Sequence, residues 1–267
     1  MRLVFIVMAT LVVSAGTGAR ADEGSARHLL AGVHAFKEGR YEEALVELRI
    51  VQHSADAPAD LAFYLGPTLY KLGRHREALA VFVGSGAPRD ALTELYLGQT
   101  FYQLRLYRRA RRSFAPLQGQ GLGPALEDAA QRYVVAIDRL YASPPSVKAI
   151  DAYLADGVAV ARAGEPLVAA EYFEEAREVE AFGPTPYRRA EIRTALAAAR
   201  NDARQSAAVI ELLAAEPSLP PEAAIELARA YIASGQPARA RPLLEPLATG
   251  SGAIATKAAA LLAKLAP

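Results

Sequence analysis

The pattern Ala31-Gly32 … Gly39 … Ala44 … Leu48 returns 34 residues later as Leu65-Gly66 … Gly73 … Ala78 … Phe82. A period of this length is the mark of a stacked helix–turn–helix repeat. Each copy places a small pair in its first helix, an aromatic four residues on, a glycine near the turn, and then Ala followed by a large apolar residue in the second helix. The small residues let paired helices approach, and the large ones fill the gap. One such hairpin cannot bury its apolar face alone, so stacking is required.

Met1–Ala21 stands apart from the repeats. Arg2 gives a basic start, Leu3–Val13 is almost wholly apolar, and Ala19-Arg20-Ala21 has the small-x-small form that signal peptidase reads. The apolar run of about 11 residues is too short for the ~20 needed to span a bilayer as a helix. We expect cleavage before Asp22 and export to the periplasm or medium, against the alternative of an uncleaved anchor or a buried helix. The chain has no Cys. An exported chain of this kind is held by its apolar core rather than by disulfides. Without Arg2 and Arg20, 28 basic and 29 acidic side chains remain. That balance gives no footing for nucleic acid.

The expected organisation is a signal peptide at 1–21, three repeats over 22–117, an inserted loop and helix at 118–145, and three further repeats with a capping helix over 146–267. Gly32, Gly66 and Gly98 mark the first three units, and Leu106 stands where the third turn glycine would be. The register then breaks until Gly157. Gly119–Gly123 reads as a loop and Pro124–Tyr141 as an amphipathic helix, either a degenerate repeat or an insertion that kinks or covers the stack. Gly157, Gly164, Ala169 and Phe173 restore the pattern. The fifth unit is weak, with Asn201-Asp202 taken as its turn. The sixth carries Ala228, Gly235, Ala240 and Leu244, and Ala253–Leu265 follows as a cap. Pro67, inside a first helix, predicts a kink there.

With these residues in place, the chain resembles the tetratricopeptide repeat family over almost all of its length after residue 21. It departs from the family pattern in lacking a first-helix Trp, in the fifth unit, and between Gly98 and Gly157. The resemblance implies an all-α solenoid, a right-handed superhelix of stacked helical hairpins, serving as a scaffold or peptide-binding adaptor.

First helices line the concave side of such a stack. Phe36, Tyr70 and Tyr102 recur there, each followed by Lys37, Lys71 or Gln103, with Phe63, Leu95 and Gln99 on neighbouring faces. Rings offer contact area, and Lys and Gln can hold carboxylates and backbone groups of a bound segment. The same rings can equally be inter-repeat packing, and both readings stay open here. Arg105, Arg108, Arg109, Arg111 and Arg112 are either a solvated helix face or a patch for an anionic partner, one that salt would weaken.

The chemistry-bearing residues do not assemble a catalytic pattern. His28, His34, His53 and His75 have no metal-ligand spacing, and there is no HExxH, phosphate-binding loop or GxSxG elbow. Glu42-Glu43 and Glu174-Glu175 are expected to face solvent. The sequence therefore points to a non-enzymatic scaffold without cofactor or metal that binds another protein or peptide. The alternatives are a structural spacer, or an enzyme acting on an envelope polymer.

Overall fold

The computed structural model describes residues 23–54, 57–86, 89–142, 146–183 and 185–265; the expected leader and its cleavage point lie outside them. Helices α1 (Glu23–Lys37) and α2 (Tyr41–Gln52) form the first hairpin, α3 (Ala62–Lys71) and α4 (His75–Gly84) the second, and α5 (Ala91–Gln103) and α6 (Tyr107–Phe114) the third. Helix α7 (Pro124–Leu140) has no second helix of its own. The pairs α8 (Val147–Arg162) with α9 (Pro166–Glu180), α10 (Arg189–Asp202) with α11 (Ser206–Leu213), and α12 (Pro221–Ala233) with α13 (Pro237–Ala248) follow, and α14 (Ala253–Ala263) lies on α12 and α13. No strand occurs among the described residues. The fold is a tetratricopeptide-like α-solenoid.

Every hairpin is built on one contact. A Cβ added at Gly66 would lie 2.3 Å from the Phe82 ring, and at Gly98 and Gly157 it would lie 2.5 Å from Phe114 and Phe173. The first hairpin sets Gly32 against Leu48, whose Cγ would lie 2.8 Å from an added Cβ, while in the fifth and sixth Ala stands opposite Leu: Ala197 faces the register of Leu213, and Ala228 that of Leu244, all four buried. Close approach and a large wedge thus compensate each other, as dense packing demands.

The turns are equally uniform. In each of the six hairpins the chain reverses through one residue of positive φ, followed by a backbone bond back to the last turn of the first helix. Arg40 N–H donates to Ala35 C=O at 2.9 Å, Arg74 to Leu69 at 2.9 Å, and Gln236 to Tyr231 at 2.8 Å. This is the left-handed helix stop, usually glycine. In the third and fifth hairpins Arg105 (φ 62°) and Arg204 (φ 60°) adopt it instead. The third turn therefore pivots on Arg105 rather than Leu106, and the fifth on Arg204 rather than Asn201-Asp202. Helix α3 continues through the buried Pro67, its start extended by a 3-10 turn at Ala59–Leu61.

Stacking is sequential as far as α7, which packs on α5 and α6 like the first helix of a further repeat. The Tyr133 ring lies 4.8 Å from that of Phe114, stacked, and 5.0 Å from that of Tyr102, edge-on. The sequence then departs from simple succession. No second helix follows α7, so nothing extends the layer formed by α2, α4 and α6. Helix α9 turns back and packs across α4 and α6, with α8 and α10 on its other sides. Ten of its 15 residues are buried as a result. The core is continuous from α1 to α10, and a second cluster centred on α12 takes over towards the end.

Candidate functional site

The aromatic row follows directly from the repeat. Each ring four places after the close-approach glycine sits at the end of a first helix, beside the start of its own second helix. The Phe36 ring lies 5.7 Å from Tyr41, Tyr70 lies 5.3 Å from His75, and Tyr102 lies 5.4 Å from Tyr107. The row also runs between repeats: Tyr70 meets Tyr96 of α5 at 5.5 Å, and Tyr102 meets Tyr133 of α7. Phe36, Tyr70, Leu95 and Tyr102 are half-buried against the core, as are Phe63 and Gln99. Lys37, Lys71 and Gln103 are exposed beside them, with Lys71 Nζ 5.6 Å above the Tyr96 ring. Burial pushes the Tyr96 and Tyr133 hydroxyls up to about 12. These two rings are therefore neutral at physiological pH, and Lys37 and Lys71 place positive charge beside the row.

The arginine cluster lies elsewhere, under α9. Arg109 Nη2 is 2.6 Å from Glu171 and its Nη1 is 3.5 Å from Glu178. Arg112 reaches Glu178 at 2.7 Å, and Arg111 reaches Asp138 of α7 at 2.7 Å. The Arg108 guanidinium is sandwiched between the Tyr141 ring at 4.1 Å and the Phe182 ring at 3.7 Å. Arg105 is exposed at its turn, and its carbonyl accepts a 3.0 Å bond from the Tyr153 hydroxyl. The anionic surface facing three of these five arginines belongs to the same chain.

Glu174 and Glu175 are buried, at 6% and 0% exposure, where the sequence reading put them in solvent. Glu174 is held by Arg177 and Arg200. The Glu175 carboxylate accepts the backbone N–H groups of Arg108 and Arg109 at 2.9 Å each, and the Tyr141 hydroxyl at 3.2 Å. It thereby caps the start of α6 from another part of the chain, supplying acceptors that a helix N-terminus lacks. Burial nevertheless raises its pKa to about 7, outweighing the two backbone bonds. At Arg109 burial works against the charge, but Glu171 and Glu178 overcome it and hold the pKa up. The missed signal was α9's own composition: Glu171, Glu174, Glu175 and Glu178 share the side that meets an arginine-rich helix.

Three of the four histidines are bonded within the chain. His28 meets Glu47 at 2.6 Å, His34 meets Glu38 at 3.1 Å, and His53 Nδ1 meets the Arg49 carbonyl at 2.6 Å. Burial lowers the pKa of His75. Among the described residues no group of three or more His, Asp or Glu can hold a metal ion, and no helix is long and apolar enough to cross a membrane. The buried carboxylates of α9 are thus tied to arginines and to the start of α6.

No protein-family model and no curated protein sequence matches this chain. Solved structures do. The P58(IPK) TPR domain is 14% identical, with a TM-score of 0.36, and the match covers 91% of this chain and 66% of that one. MamA is 20% identical over 80% of this chain and 99% of that one, with a TM-score of 0.32. The TPR2AB domain of yeast Sti1, whose structure is a complex with pHSP90, is 14% identical over 83% of this chain and 88% of that one, with a TM-score of 0.33.

Proposed function

We propose that this protein is an exported adaptor that holds a segment of another protein along the first-helix face of α1, α3, α5 and α7. The observation that carries the reading is the row of exposed Lys37, Lys71 and Gln103 beside half-buried rings that pair between repeats, Tyr70 with Tyr96 and Tyr102 with Tyr133. Helix α9 covers α4 and α6 on their other side, so the first-helix face is the long face left for a partner. Ring edges give contact area, and the lysines favour an acidic or carboxylate-bearing segment.

A structural spacer is the second reading, and one observation favours it: the rings already pack on one another. The test separates the two. Affinity capture from the native compartment compares the wild type with Lys37→Glu/Lys71→Glu/Gln103→Glu, which alters exposed side chains and leaves the rings in place. Loss of a specific partner with helicity and melting retained supports the adaptor. Retention of every partner by a folded variant removes this face from consideration and leaves the spacer.

A further inference from the structure

Among the described residues, no further helix lies over the outer side of the first hairpin. At the far end, α14 lies over α12 and α13. At the first hairpin, by contrast, Leu30 is 63% exposed, Val46 61% and Ile50 45%. A groove of about 690 Å³ runs between α1 and α2, its walls formed by Leu30 and His34 on one side and Glu43 and Val46 on the other. Three large aliphatic side chains gathered on one outward surface are unusual for a repeat end, which ordinarily presents a polar face to solvent.

The charges around this surface separate by helix. Along α1 the exposed ionisable side chains are basic: Arg27, His34 and Lys37. Along α2 they are the acidic Glu42 and Glu43, with His53 beyond the helix end. Some already pair within the chain, His34 with Glu38 and Glu43 with Arg40, but these contacts are solvent-exposed and contribute little there. We propose that this end pairs two copies of the chain about a two-fold axis, with α1 of one copy set against α2 of the other. That arrangement buries Leu30, Val46 and Ile50 centrally and brings the basic row of each copy to the acidic row of its partner. Setting α1 on α1 would place like charges together. A two-fold contact is self-complementary and closes at the dimer, so one surface carrying both signs on separate helices satisfies it without a second protein. The surface shares Lys37 with the first-helix face, but its apolar centre of Leu30, Val46 and Ile50 does not belong to that face, so variants there test this contact alone.

The test is sedimentation equilibrium on the purified chain from ~1 to ~100 μM, a range in which modest interfaces populate both states. The expected result is a monomer–dimer equilibrium that weakens with salt. Val46→Glu, which puts a charge into the buried apolar centre, weakens it at least ~10-fold. Leu30→Glu is a second variant at an exposed position, and both retain wild-type circular dichroism. Lys257→Glu at the far end leaves the equilibrium unchanged. A monomer at every concentration overturns the proposal, whatever else covers the face. A dimer indifferent to both Val46→Glu and Leu30→Glu overturns it too, because the contact then lies elsewhere.

Discussion

Protonation of Glu175 should stabilise the docking of α9 on α6, and its effect runs opposite to the usual acid behaviour of a carboxylate. Three donors favour the charged form, while complete burial opposes it and wins, leaving the pKa at about 7 against the ordinary carboxylate value of 4.5. A group whose folded pKa is raised binds its proton more tightly in the folded state. Its contribution is therefore full below about pH 4.5 and declines as pH rises through about 7. At about 1.4 kcal/mol per pKa unit, the shift corresponds to an effect on the order of 3 kcal/mol across that window. Glu175→Gln mimics the protonated group without titrating. Urea unfolding of both proteins from acid to mildly alkaline pH isolates this residue, because every other titration is common to both. The wild type should lose stability relative to the Gln variant between about pH 4.5 and 7 and level off above that. A pH-independent difference would show that Glu175 does not titrate there. A wild type that gains on the variant with rising pH would show that the helix-start donors, and not burial, set its charge.

The close-approach glycines give a sharper packing test. Gly66→Ala should cost ~1–3 kcal/mol by forcing a methyl into the Phe82 ring, and Phe82→Leu should recover part of that loss by recreating the Ala/Leu pairing of the last two hairpins; thermal melts of the single and double variants check this. Arg105→Gly should raise the melting temperature, since glycine occupies that left-handed turn without the Cβ penalty of about 1 kcal/mol. Mass analysis of exported protein should place its N-terminus at Asp22, and retention of Met1 would argue for an anchor.

The hairpins were legible because their determinants are local and repeated. Gly32, Gly66, Gly98 and Gly157 each precede a large residue by sixteen positions, and the turn falls seven positions after each. The fifth hairpin obeys the same spacing through Ala197, Arg204 and Leu213, but it looked degenerate because Ala replaced one glycine and Arg the other. The aromatic row was visible as well; its partners Tyr96 and Tyr133 were not, because contacts between repeats depend on stacking register. Least legible was the return of α9 onto α4 and α6. Two charge-rich helices 66 residues apart look like two solvated faces when read separately. Only the missing second helix after α7 frees them to meet. Buried carboxylates such as Glu175 have no local signature, since a partner's backbone N–H groups leave no mark in sequence.

The account rests most heavily on that return, because it consumes the arginine cluster and leaves the first-helix face as the long surface for a partner. The chain has no native cysteine, so a single introduced pair reports without background. Arg112→Cys/Glu178→Cys replaces an ion pair across α6 and α9 whose atoms lie 2.7 Å apart. Treatment of the dilute protein with a short bifunctional thiol reagent should give a rapid intramolecular crosslink, read by peptide mass analysis, with helicity unchanged. Slow or absent crosslinking in a folded monomer would mean that α9 does not lie on α6, and the arginines would then be free for an external partner.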